Sequence, residues 1–417
     1  MASNTNSRTN AEKYLHHLCL EIPNRRVGSE GNRDAAKYFA EVISGFGFEI
    51  EYQEFDCMDW SEDGARITAG GEQFEAFVSP YSLGTDIQVP LIPIRNVAQL
   101  EQVEAEGKVL LLHGEIAKEQ LMPKSFPFYN PDHHKHIVAT LESKSPLAII
   151  SATSRDPALA GGMYPFPLVE DGDFDIPSVF MTDEEGKRLL KHSGKSIHLE
   201  SHATRRPAKG CNVIARRPEK HRHRVVITAH IDSKDNTPGA LDNATGVVIL
   251  LLLSELLQGY EGEMGVELVA INGEDYYSAV GEVKYLERNK SAMDEIQLNI
   301  NMDGVGFHEG ATAYSFYECP DEVRELIHRS FSTYMELEEG EIWYSGDHMI
   351  FVQSGVPAVA ITSEHGMTGL AQISHTPKDQ PELVDCSKLA TTAFALRDLL
   401  LELNQSEVWR PDFEPKV

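Results

Sequence analysis

The hydrophobic pattern of the chain falls into three stretches with different periods. Near the amino terminus, residues 10–22 read as a helix. In "SEGNRDAAKYFAEVISGFGF" a polar lead precedes apolar positions at Ala36, Phe39, Ala40 and Ile43, a helical spacing over 32–46 that Gly45 and Gly47 end. "FEIEYQEF" then alternates apolar and polar, the signature of a strand with one solvated face. From about residue 61 to 205 the segments shorten. "KVLLLHG", "PLAIISAT" and "IPSVFMT" are β-like pieces between loops rich in Pro, Gly, Asp and His, with helical spacing only near 97–106, 133–142 and 183–192. This stretch is expected to form a separate, β-rich module inserted at 61–205 into a domain made of 1–60 and 206–417.

After residue 211 strands and helices alternate. "HRVVITAH", "GVELVAING", "IQLNINMDG" and "VPAVAITS" read as buried strands. "NATGVVILLLLSELLQG", "SAVGEVKYLERN", "PDEVRELIHRSFSTYM" and "CSKLATTAFALRDLLLEL" read as helices, the first apolar around its whole circumference and so expected to be buried. This cadence predicts an α/β domain with a mainly parallel sheet covered on both faces. In such sheets ligand sites gather beyond the carboxyl ends of the strands.

That rule gives meaning to the polar residues at those ends. The first strand ends at His230, with Asp232 close behind. The second runs into Glu274 and Asp275, the third ends at Asp303, and a later loop, "ISHTPKD", carries His375. Asp242 follows the Pro238–Gly239 turn between the first strand and its helix. Two imidazoles and several carboxylates converging without a thiolate form a donor set suited to a pair of zinc ions. Each residue alone has a plainer reading: Asp242 as a turn or cap residue, Glu274 and Asp275 as a solvated loop, Asp303 before Gly304 as a turn. The coincidence of all of them at one sheet edge favours the metal reading.

Charge narrows the partners. The chain of 417 residues carries 65 acidic and 37 basic residues, a net charge of −28, which argues against nucleic acid and anionic membrane surfaces. The basic stretch 205–224 is expected to be a solvated turn between domains. The longest apolar run, "VVILLLL", is far shorter than the roughly 20 residues a membrane span needs. The start of the chain is polar and shows no secretory leader, so a cytoplasmic location is expected, although a mature form with its leader removed reads the same. Five scattered cysteines without C-x-x-C spacing fit a reducing compartment. Homo-oligomer formation is left open.

In order along the chain, "AHIDS", "PGALDNATG", "NGEDYY", "NMDGVG", "SGDHMIF" and "ISHTPKD" resemble the motifs of the zinc aminopeptidases of peptidase family M28, over roughly 1–60 and 206–405. The resemblance implies a three-layer α/β/α zinc-exopeptidase fold with a mainly parallel mixed sheet, acting on peptide substrates. It implies two zinc ions, one held by His230, Asp275 and a bridging Asp242, the other by Asp303, His375 and the same Asp242. Glu274 would be the general base and Asp232 would orient His230. Asp275 departs from the family, which more often has Glu there. Asp347 and His348 match a further Asp-His segment, and their roles stay open between substrate binding, carbonyl polarisation and helix capping. The insertion resembles a protease-associated (PA) domain. A glutaminyl cyclase-like single-zinc enzyme and a non-catalytic, receptor-like binding protein are the alternatives on this fold. The "NPDHHKH" cluster (His133, His134, His136) reads as the polar start of a helix, and Tyr276–Tyr277 as packing. Specificity is expected to rest on the insertion and on loops such as 363–374.

Overall fold

A computed structural model describes the chain except for residues 1, 23, 156–162, 218–221, 365–369 and 407–417. It divides into two compact units. The first comprises Met1–Asp56, Lys209–Tyr276 and Val280–Val417; the second comprises Cys57–Ala208 and Tyr277–Ala279. The strands Glu49–Ala69 and Ser196–Arg216 each begin in one unit and continue into the other.

In the first unit the strand Arg224–His230 is central. It pairs in parallel with Gly265–Ile271 on one side and Ile296–Met302 on the other. Ala358–Ser363 continues the parallel set next to Ile296–Met302. Two antiparallel pairings, through Val213–Arg216 and through Thr312–Tyr317, make the sheet mixed. The central strands are almost wholly buried, as a sheet covered on both faces requires. The helix Thr245–Leu256 is buried from Thr245 through Ser254. It lies in one apolar cluster with residues of the helices Ala2–His16, Glu30–Ser44, Asp321–Phe331 and Cys386–Gln405. On the opposite face, Tyr317, Trp343, Ala358 and Ala360 pack with Met349 and Val352 of the helix His348–Gln353. The expected α/β architecture is therefore observed, as helix, sheet and helix layers. Ser29 caps Glu30–Ser44 by accepting from Asn32 N at 3.1 Å, which fixes where the polar lead of that helix ends.

The second unit holds a parallel run of four strands, Thr85–Ile94, Val109–His113, Ala148–Thr153 and Ser178–Thr182. Glu72–Val78 adds to it antiparallel. Separate apolar clusters include residues from these strands, with Leu141 of the helix Asp132–Lys144 in one and Leu189 of Asp183–Leu189 in the other. The basic stretch differs from expectation. It is not a solvated turn up to Arg216 but part of a 21-residue strand. Basic side chains along it meet acidic neighbours: Arg205 meets Asp175 at 2.7 Å, Lys209 meets Asp56 at 2.6 Å, and Arg216 meets Glu267 at 2.7 Å. Part of the remainder, 218–221, lies outside the described residues. Among the described residues, no helix is long and apolar enough to cross a membrane.

Candidate metal centre

Three parallel strands end at one edge, and the side chains there are set by backbone contacts. His230 is the last residue of its strand and is 1% exposed. Its Nδ1–H donates to the backbone oxygen of Asp232 at 3.2 Å, which turns Nε2 toward the cluster. Nε2 lies 3.2 Å from Asp242 Oδ1 and 3.8 Å from Asp303 Oδ1. Neither approach has hydrogen-bond geometry, so Nε2 is a buried nitrogen without a partner.

Asp242 stands on the turn that begins at Gly239 (φ +57°). Its second oxygen, Oδ2, lies 3.0 Å from His375 Nε2, and the same nitrogen is 3.1 Å from Asp275 Oδ1. One carboxylate thus faces two different imidazoles, one per oxygen. Two groups of three donors share it: His230, Asp242 and Asp303, and Asp242, Asp275 and His375. The family resemblance joins the same five residues differently, His230 with Asp275 and His375 with Asp303, and His230 and Asp275 do share a third group. Asp303 directly follows the strand Ile296–Met302, which is hydrogen-bonded beside that of His230, and Asp275 stands on a loop that reaches His375. Glu274 forms a further group with His230 and Asp275 and remains partly exposed.

Asp232 acts mostly elsewhere than on His230. Its carboxylate accepts from Gly273 N at 2.7 Å and Asp275 N at 3.1 Å, while its Oδ1 is 3.7 Å from His230 Nδ1. It therefore holds the loop that presents Glu274 and Asp275. His375 has φ +63°, a left-handed backbone unusual for a residue with a side chain, which no spacing rule reveals.

The electrostatics are those of crowded carboxylates. Burial, and then Asp275, Asp303 and Asp347, push the Glu274 carboxyl well above the usual range. Burial disfavours a charged His230, but its contacts with Asp232, Asp242 and Asp303 outweigh that and raise it. Burial raises Asp242, yet the His375 and His230 imidazoles win and hold it low. His230 Nε2, Asp275 Oδ2 and both oxygens of Asp347 are buried without hydrogen-bond partners. Anionic donors left unpaired in a buried cluster fit cations of the zinc type.

Asp347 precedes the helix His348–Gln353 but makes no side-chain cap, so the capping alternative falls away. It is 1% exposed, and burial with the neighbouring Asp303, Asp232 and Asp275 moves it to about 7. His348 Nε2–H donates to Trp343 O at 3.2 Å, and its ring sits 4.5 Å from those of Tyr317 and Trp343. Tyr276 and Tyr277 are both buried.

Three residues near the centre escaped the sequence reading. Lys234 Nζ donates to Asp275 O at 2.8 Å. Asp379 and Arg25, both buried, contact the Asp242 turn. Asp379 closes the quoted "ISHTPKD"; Arg25 had no signal beyond a basic residue in a loop. In the second unit, His133 and His134 approach Glu119, 3.5 Å and 3.8 Å from its Oε1. His134 Nδ1 accepts from Met122 N at 3.1 Å, so Nε2 carries the proton and is a poor metal ligand. Of the specificity loop 363–374, residues 365–369 lie outside the described residues.

Comparison with known proteins finds similarity to peptidases. The family model described as "Peptidase family M28" matches residues 212–400. The chain is 22% identical over 395 residues to the aminopeptidase YwaD of Bacillus subtilis, covering 91% of this chain and 81% of that protein. It is 25% identical over 316 residues to a probable lipoprotein aminopeptidase, LpqL, of Mycobacterium tuberculosis, covering 71% of this chain and 59% of the relative. The chain thus spans less than two thirds of the mycobacterial protein's length. Among solved structures, a zinc aminopeptidase from Bacillus subtilis superposes with a TM-score of 0.74 at 18% identity, over 97% of this chain and 96% of that one. An aminopeptidase from Aneurinibacillus sp. strain AM-1 gives 0.72 at 19%, over 95% and 93%. At these identities the two structures establish a shared fold.

Proposed function

We propose that this chain, whose residues 212–400 match the model of peptidase family M28, is a two-zinc aminopeptidase of that family hydrolysing the first peptide bond of its substrates. His230, Asp242 and Asp303 would hold one ion, and Asp242, Asp275 and His375 the other. When bound, such ions supply a water of lowered pKa and polarise the scissile carbonyl. The remaining work falls to the chain. Glu274, partly exposed beside His230 and Asp275, accepts a proton from the attacking water and returns it to the departing amine. Burial and the neighbouring carboxylates raise its proton affinity, the direction a proton acceptor needs. Asp232 keeps Glu274 and Asp275 in place through the backbone of their loop.

The observation that carries this reading is Asp242, with Oδ1 3.2 Å from His230 Nε2 and Oδ2 3.0 Å from His375 Nε2. A single-zinc cyclase needs only one complete donor group, and here both have three donors. A receptor-like protein has no use for a carboxylate in the position of Glu274. Zinc-reconstituted protein should be offered aminoacyl-, dipeptidyl- and carboxy-terminal reporter substrates. Release from the aminoacyl reporters supports the proposal; cleavage confined to the carboxy-terminal ones, or none at all, contradicts it.

A further inference from the structure

The turn that carries Asp242 is gripped from two sides by buried charged side chains, neither of which is a metal donor. On one side is Asp379, 0% exposed. Its Oδ1 accepts from Leu241 N at 2.8 Å and its Oδ2 from Asp242 N at 3.0 Å, one oxygen per amide. Asp379 belongs to the same short loop as His375 and is tied within it by its own N–H to Thr376 O at 3.1 Å. On the other side is Arg25, 1% exposed. Its guanidinium donates to Pro238 O at 2.8 Å, Gly239 O at 2.8 Å and Ile231 O at 3.1 Å, and also to Leu18 O at 2.8 Å. The carbonyls at the start of the turn face a cation and the amides at its end face an anion. These are charge-assisted bonds, stronger than neutral ones and directional.

We propose that Asp379 and Arg25 are positioning residues that set the orientation of Asp242, so that the affinity of the metal centre depends on both. Asp242 must present one oxygen to each imidazole, and a small rotation of its turn would remove one of the two approaches. Asp379 also couples the Asp242 turn to the His375 loop, so that two donors of one group move together. Arg25 lies well outside the stretch 212–400 matched by the family model, so the amino-terminal segment supplies half of this clamp.

The proposal rests on the two-zinc reading and is tested with the full chain. Asp379→Asn replaces one acceptor by an NH2 group that meets a backbone N–H head-on. Zinc affinity, measured by competition with a chromogenic chelator, is expected to fall about 10- to 100-fold, the usual effect of losing a partner that orients a ligand. The rise in unfolding midpoint on adding zinc should shrink accordingly. A merely structural role would lower the midpoint of metal-free protein but leave zinc affinity unchanged, and that result overturns the proposal. Should Asp379→Asn fail to fold, Arg25→Lys replaces it in the same assay, with the same two outcomes. Hydrogen exchange of wild-type protein gives a check without any variant. The Leu241 and Asp242 amides should be protected in the metal-free state, and fast exchange there overturns the clamp. Wild-type protein that binds no zinc removes the two-zinc reading itself, which is seen before any variant is compared.

Discussion

Substituting Gly239 by alanine tests how tightly the metal-bearing turn is built. Gly239 has φ +57° and ψ +48°. A Cβ there would lie 2.6 Å from Asp242 O, 2.8 Å from Arg25 Nη2 and 2.8 Å from Ser233 Cβ. The left-handed backbone costs an alanine about 1–2 kcal/mol. The overlap adds roughly 1–3 kcal/mol, because Asp242 O is backbone and Arg25 Nη2 is held by Gly239 O. Gly259→Ala is the matched control. It has φ +81° in the same unit, with nothing within 4 Å of its Cβ, and so bears the backbone cost alone. Hydrogen exchange of the protected core amides in 224–256 reports the opening free energy of this unit. Gly239→Ala is expected to lower it by roughly 2–5 kcal/mol and Gly259→Ala by about 1–2 kcal/mol. Equal losses in the two variants would refute the reasoning, because the overlap would then cost nothing.

Two further outcomes are expected. Glu274→Gln should retain zinc and lose turnover by about 10²- to 10⁴-fold, the span of a general base, as read by metal analysis alongside initial rates; full activity would remove Glu274 from the mechanism. His348 is lowered to about 4 by burial, which outweighs its hydrogen bond to Trp343 O. The unfolded chain therefore takes up this proton first as pH falls. Stability is intact above the unfolded value near 6.5 and is lost progressively towards pH 4, by on the order of 3 kcal/mol in all. Denaturant unfolding at several pH values should show a shallower slope for His348→Gln than for wild type across that window; parallel slopes would contradict the assignment.

How much of this was readable beforehand depends on what each residue's role rests on. The strand ends were legible because buried parallel strands leave a plain apolar run, and His230 and Asp303 sit where two such runs stop. How closely the donors approach one another was not legible. It depends on strand order and on the reach of the Asp275 and His375 loops, and neither is written in spacing along the chain. The carboxylate of Asp232 turned to the backbone of Gly273 and Asp275, a contact between loops that a two-residue spacing from His230 does not suggest. Lys234 carried no signal because it donates to a carbonyl 41 positions away. Arg25 was invisible for the same reason: Leu18, Ile231, Pro238 and Gly239 accept from it through backbone oxygens, and a carbonyl has no sequence identity. The strand at Ser196–Arg216 was hidden by its charge, which read as solvated until each basic side chain met its acidic neighbour.

The central claim is that one carboxylate, Asp242, joins two metal groups. Native mass spectrometry of zinc-reconstituted protein counts the ions directly, for wild type and for Asp242→Ala. Two zinc ions per wild-type chain, with both weakened together when Asp242 is removed, is the predicted result. A single ion in the wild type, or two ions that Asp242→Ala leaves undisturbed, would contradict it.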